Sequence, residues 1–296
     1  MGRHMVIMEQ MKQEEHDYLR NFIAAALKED IGDGDHTSLS TIPAGKMGEA
    51  TLIVKEQGVL AGVAEALAVF AQVDSSLQVE VFISDGSNVK LGDVAFKVSG
   101  SIHGILAAER LVLNIMQRMS GIATATRRIT QALEGTATRV LDTRKTTPLM
   151  RFLEKKAVAL GGGTNHRFGL YDMILIKDNH VDYAGGIKQA VERANQYRTE
   201  QGKVIPIEVE VRNLDEVRQV LEVGGVERIM LDNFSVELLR EAVAIIDGRY
   251  VTEASGGITE ENAAAYAAAG VDYISMGALT HSVKSLDMSL KAKLSD

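Results

Sequence analysis

Residues 141–148 read LDTRKTTP, and the organisation of the chain turns on them. A short apolar run, Val140-Leu141, ends there in an acid, an arginine, a lysine and three threonines. Such a run predicts a buried strand with cations and hydroxyls crowded at its tip. The arrangement then recurs. RVLD precedes a helical stretch at 149–160, DMILI one at 185–198, IPIEVEV one at 214–223, RIMLD one at 235–246, YVTEAS one at 260–269, and DYISMG a last one. Regular β-α alternation predicts a parallel sheet with right-handed crossovers. Six such units favour a barrel or a barrel-like open sheet over a minimal doubly wound one.

The polar residues of this half fall just after each strand, the face that carries the chemistry in β/α barrels. In order, the tips are Asp142-Thr143-Arg144-Lys145, Lys177-Asp178-Asn179-His180, Glu208 with Glu210, Asp232-Asn233, Ser255-Gly256-Gly257, and Gly277-Ala278. Ahead of this half, residues 16–30 carry helix-spaced apolar positions, and 50–54 and 79–83 alternate as strands. Residues 104–134 predict a long helical region broken near Ser120-Gly121. The GDGDHTS stretch at 32–38 reads as a turn.

With 296 residues, 46% of them hydrophobic, the chain can build a large core. A net charge of −8 argues against a nucleic-acid or anionic-membrane surface. No run approaches the ~18 apolar residues of a transmembrane helix. The sequence holds no cysteine, which excludes disulfides, thiolate metal sites and a thiol nucleophile, and fits a cytoplasmic protein. Met1-Gly2-Arg3-His4 reads as a non-native leader ahead of a native Met5.

Three constellations carry chemistry. Ser255-Gly256-Gly257 and Gly277 end the last two strands, where glycine lets backbone N–H groups approach a phosphate; one such pair alone would read as a tight turn. Arg144, Lys145, His166, Arg167 and Lys177 are five cations on neighbouring tips of an acidic chain. Any one reads as surface charge; together they suggest a multiply anionic ligand. The Gly161-Gly162-Gly163 stretch before His166 predicts a loop able to wrap that ligand. Glu210 and Asp232 are either salt-bridge partners or a Mg²⁺ site shared with a diphosphate. Glu210 is preferred over Glu208 because it lies nearer the tip. His180 and His281 read as structural histidines.

Several stretches together resemble quinolinate phosphoribosyltransferases: AERLVLNIMQRMSGIAT (108–124), LDTRKTTP, GGGTNHR (161–167), ILIKDNH (174–180), EVEV (208–211), MLDNF (230–234), EASGGIT (253–259) and ISMGALTHS (274–282). The resemblance implies an α/β fold: an N-terminal α/β sandwich domain and a C-terminal open α/β barrel with phosphate-binding strand-end loops. Residues 6–120 are then the sandwich with its connecting helix, 121–285 the barrel, and 286–296 a C-terminal helix packing back on the first domain. It also implies a homodimer with composite active sites, assembled further into hexamers in some members.

The implied substrates are quinolinate and phosphoribosyl pyrophosphate, with Mg²⁺, giving nicotinate mononucleotide, pyrophosphate and CO₂. By resemblance, Arg144, His166, Arg167 and Lys177 surround quinolinate, joined by the partner subunit's Arg110, with Thr143 beside them. Lys145 and Lys177 balance phosphoribosyl pyrophosphate, Glu210 and Asp232 hold ribose hydroxyls or the metal, and Ser255, Gly256, Gly257 and Gly277 take the 5′-phosphate. The rivals are a relative acting on another pyridine or pyrimidine acid, a barrel lyase forming a Schiff base at Lys177, and a non-catalytic nucleotide-binding subunit.

Overall fold

The computed structural model describes residues 2–293. In chain order the first elements are α1 (Gly2–Ile31), α2 (His36–Thr41), β1 (Met47–Val54), β2 (Gly58–Val59), α3 (Val63–Val73), β3 (Gln78–Val81), β4 (Asn88–Val89), β5 (Val94–Ser101) and α4 (Ile102–Ala132). There follow β6 (Arg139–Leu141), α5 (Arg151–Leu160), β7 (Ile174–Ile176), α6 (Asp178–Ala184), α7 (Ile187–Glu200), β8 (Ile207–Val211) and α8 (Leu214–Val223). The last are β9 (Arg228–Asp232), α9 (Val236–Ile246), β10 (Val251–Ser255), α10 (Ala263–Ala267), β11 (Tyr273–Ser275), α11 (Ala278–His281) and β12 (Met288–Lys293). They form two compact units: Met1–Thr124 with Pro148–Gly161 and Val283–Asp296, and Ala125–Thr147 with Gly162–Ser282.

The first unit is built on an antiparallel sheet in the order β12-β1-β5-β3, with a small β2-β4 pair. Alternation along β1 buries Ala50, Leu52 and Val54. Phe96 of β5 meets Phe70 of α3 edge-on, with centroids 5.8 Å apart. Each such ring, fully buried, stabilises by about 1.5–3 kcal/mol. Asp35 of the 32–38 turn caps α2, its Oδ1 accepting from the Ser38 N–H at 3.1 Å.

Three expectations about this unit are corrected. Helix α4 is continuous through Ser120-Gly121. The Ser120 hydroxyl bonds the backbone of Ala61, and Gly121 packs so closely on the Lys284 carbonyl that a Cβ would collide; the small residues serve contact, not a break. Of the expected C-terminal helix, the described residues 286–293 are not helical. Met288–Lys293 alternate apolar and polar side chains and pair antiparallel with β1, Leu52 opposite Leu290; 294–296 lie outside the described residues, as does Met1 of the expected leader. Finally, α5, expected as a barrel helix, belongs to the first unit, where Lys156 pairs with buried Glu65 at 2.6 Å and Glu154 with Arg118 at 2.9 Å.

The second unit is a six-stranded parallel sheet in the order β6-β11-β10-β9-β8-β7. β6 and β7 stand at its two edges, so the barrel is open. Helices α7, α8 and α9 bury Val191, Val217 and Leu239 among their apolar positions. Among the described residues no helix is long and apolar enough to cross a membrane.

Candidate active site

Parallel pairing sets side by side the residues that share a face of the sheet. Lys177 follows β7, and β8 sets Glu210 beside Met230 of β9. Asp232 pairs with Ser255, and Ser275 with Leu141. Side chains on this one face line a cavity of about 660 Å³, whose walls include Thr143, Arg144, Lys145, His166, Arg167, Lys177, Glu210 and Asp232. The glycine tips Ser255-Gly256-Gly257 and Gly277 close its other side, with His281.

Two clusters of like charge line the cavity. Arg167 is half-buried, and burial together with the neighbouring Arg144 guanidinium lowers it from the ordinary arginine range. In the same cavity, burial and then the Glu210 carboxylate raise Asp232 above the usual aspartate value. Lys177 Nζ donates to Glu210 Oε2 at 2.5 Å, and Asn233 Nδ2 to Asp232 Oδ2 at 2.7 Å. Two crowded guanidinium groups call for an anion carrying more than one charge. Two facing carboxylates call for a cation or for hydroxyl donors. An ammonium held by a carboxylate is also a poor nucleophile, which disfavours the Schiff-base reading of Lys177.

The LDTRKTTP loop is pinned at several points. The Lys145 N–H donates to Thr143 Oγ1 at 3.0 Å, and Thr280 Oγ1 donates to the Lys145 carbonyl at 2.7 Å. Asp142, fully buried, accepts the His166 N–H at 2.8 Å. The stretch before His166 does not wrap the cavity as expected. Thr164 forms a parallel bridge with Leu141, because its N–H and C=O find partners at Val140 and Asp142 on the open edge of β6.

His166 lies at the floor. Its Nε2 is 2.9 Å from Glu208 Oε2 and 3.4 Å from Glu253 Oε2, and its Nδ1 accepts the Arg167 N–H at 2.7 Å. Burial pushes the imidazole down, but the two carboxylates push harder and raise it to about 9. The Arg167 N–H acts the other way, against a second ring proton. Glu208 itself is raised to about 7, by burial first and then by Glu253. His166, Glu208 and Glu253 are the group among the described residues whose ligand atoms, all within 4.8 Å of one another, could hold a metal ion. Arg228 already supplies positive charge there, 2.9 Å from Glu253.

Gly256 has φ +92°, and a Cβ there would meet Asn233, whose backbone nitrogen is 2.9 Å away. Gly257 has φ +63°, and a Cβ at Gly277 would lie 2.9 Å from Lys145 Cδ. The helices that follow are short, five residues for α10 and four for α11, so phosphate affinity would come from the backbone and not from a helix terminus. Gly256→Ala is expected to weaken phosphate binding while leaving the fold intact. The left-handed backbone alone costs an alanine about 1–2 kcal/mol, roughly a tenfold loss if felt at the loop. Titration with ribose 5-phosphate measures it.

Every site residue expected from the strand tips lines this cavity. Arg110 does not: it is exposed on α4 of the first unit. Sequence reasoning missed Glu253 and Arg228, named Asp142 at a tip without giving it a role, and set His281 aside. A charge at a buried position of an apolar strand is the signal that would have found the first two.

The chain's residues 122–291 match the family model for the quinolinate phosphoribosyl transferase C-terminal domain, and 35–120 that for its N-terminal domain. A quinolinate phosphoribosyltransferase [decarboxylating] of Nicotiana glauca is 46% identical over 92% of this chain and 82% of its own. A probable nicotinate-nucleotide pyrophosphorylase [carboxylating] of Bacillus subtilis is 42% identical, covering 95% and 96%. The solved nicotinate-nucleotide pyrophosphorylase of Francisella tularensis superposes with a TM-score of 0.88 at 39% identity, over 94% of this chain and 96% of that one. With both domains matched in order and these relatives spanning nearly its whole length, the chain belongs to the quinolinate phosphoribosyltransferase family.

Proposed function

We propose that this chain transfers the phosphoribosyl group of phosphoribosyl pyrophosphate to quinolinate with decarboxylation, giving nicotinate mononucleotide, pyrophosphate and CO₂ in NAD biosynthesis. The observation that carries the reading is the pair of like-charge clusters lining one cavity, Arg144 with Arg167 and Glu210 with Asp232. Quinolinate is a planar dianion with adjacent carboxylates, and fixed guanidinium forks suit it. Arg144, Arg167, His166 and Lys177 hold it, with Thr143 beside them. Ser255, Gly256, Gly257 and Gly277 take the 5′-phosphate, and Lys145 balances the pyrophosphate.

The pyridine nitrogen attacks the anomeric carbon as the bond to pyrophosphate breaks, through an oxocarbenium-like transition state. Glu210 and Asp232 stabilise the positive charge that develops on the sugar. In the resulting pyridinium the carbon next to nitrogen loses CO₂; its electron pair stays on that carbon, stabilised by the adjacent positive charge, and is then protonated. Glu210 and Asp232 offer hard oxygen donors close enough for the Glu210 carboxylate to raise Asp232, and a pair of that kind supports a Mg²⁺ site. Bound there directly or through water, Mg²⁺ would neutralise the pyrophosphate. Catalysis is otherwise positioning and electrostatics.

Two further parts of the reading concern setting and assembly. The cysteine-free sequence supports the cytoplasm. The exposed Arg110 supports a homodimer in which the partner subunit's Arg110 completes each quinolinate site.

Incubating the protein with quinolinate, phosphoribosyl pyrophosphate and Mg²⁺ while following CO₂ tests the reaction. A preference for nicotinate without CO₂ release would refute it. A pH profile tests the floor of the pocket. A profile flat near pH 9 would mean that the Arg167 N–H holds the ring neutral; with the two carboxylates outweighing that bond, the imidazole keeps its charge through neutrality and loses it as pH rises through about 9. Quinolinate affinity is therefore expected to fall through about pH 9, and His166→Gln to flatten that part of the profile.

A further inference from the structure

Below the cationic wall lies a layer that the reaction as described does not use. Glu208 and Glu253 are fully buried, and Arg228 reaches both, 3.9 Å from Glu208 Oε1 and 2.9 Å from Glu253 Oε2. Arg228 is itself stacked over the Tyr273 ring, 4.8 Å from its centroid. Burying two carboxylates in a sheet is costly unless each is paired. Glu208 sits in a strand buried along its whole length, Ile207–Val211, where aliphatic side chains are the ordinary occupants.

The cluster ends on the pocket floor. Its two carboxylates converge on His166 Nε2, and the far side of that ring takes the Arg167 N–H on Nδ1. Arg167 Nη1 is tied in turn to the Met173 carbonyl at 3.1 Å. Contacts therefore run from the buried layer, through one imidazole, to the main-chain amide of Arg167, whose guanidinium is fixed in turn by the Met173 carbonyl. Without the carboxylates, the ring could rotate about its two side-chain torsions.

We propose that Glu208 and Glu253, clamped by Arg228, are positioning residues that lock the His166 ring and, through it, Arg167, so that quinolinate meets cations already in place. This rests on the reading that His166 and Arg167 bind quinolinate. Glu208→Gln and Glu253→Gln keep the side-chain shape and remove the charge, and calorimetric titration reads the two substrates separately. The Kd for quinolinate is expected to rise roughly tenfold or more, the scale of one hydrogen bond to a charged group. The Kd for phosphoribosyl pyrophosphate is expected to stay within about twofold, as for an independent site.

His166→Gln should weaken quinolinate comparably, and the His166→Gln/Glu208→Gln double variant should be no weaker than His166→Gln alone. Multiplying losses in the double variant, or equal losses for both substrates, would overturn the proposal. If His166→Gln weakens quinolinate and neither glutamine variant does, the proposal alone falls. If His166→Gln leaves quinolinate binding unchanged, the reading of the pocket falls and the proposal with it. Should the glutamine variants not fold, ¹⁵N-histidine spectra of the wild-type protein decide: a His166 Nε2–H protected from solvent exchange is expected, and rapid exchange would overturn the proposal.

Discussion

Arg110→Ala and Lys145→Ala chains are each expected to lose most of their activity alone, and a mixture of the two is expected to regain activity. Lys145 lines the barrel cavity, whereas Arg110 is exposed on α4 and does not. If quinolinate is completed by the partner subunit's Arg110, the two lesions of a mixed dimer fall in the same site and the other site is wild type. Re-associated heterodimers should then recover up to about half of wild-type turnover per dimer, because effects at separate sites do not compound. Subunit exchange, confirmed with differently tagged chains, must accompany the assay. No recovery despite proven heterodimers would place Arg110 outside the partner's site.

Lys145→Ala is expected to lower kcat/KM about a hundredfold, the effect of removing one preorganised electrostatic contact from a transition state. Two observations motivate this. The backbone of Lys145 is fixed by Thr143 and Thr280, and its Cδ would lie 2.9 Å from a Cβ at Gly277, beside the proposed 5′-phosphate loop. Lys203→Ala, an exposed lysine in the turn after α7, is the control and should change little. Equal losses at the two lysines would remove Lys145 from the site.

The second unit was the more legible half. Short apolar strands followed by amphipathic helices specify a parallel sheet, and polar tips then converge because every strand points the same way. That logic reaches Glu210, Asp232 and the glycine loops without coordinates. It stops at the layer beneath. Glu208, Arg228 and Glu253 come from different strands and are joined only by register, which no local pattern encodes. In the first unit, Gly121 looked like a helix breaker because its tight packing on Lys284 lies far away in sequence. The end of the chain misled for a related reason: an edge strand six residues long depends on a distant partner for its conformation.

That edge strand has a consequence for how the protein is made. β1 is among the earliest elements to leave the ribosome, and its neighbour β12 is among the last. Every segment of the second unit precedes β12, so the barrel has all its strands while one flank of β1 still lacks its mate. During synthesis that flank is an unpaired backbone edge, open to the same edge on other nascent chains. The small sheet is therefore completed only after the last of its strands has been made.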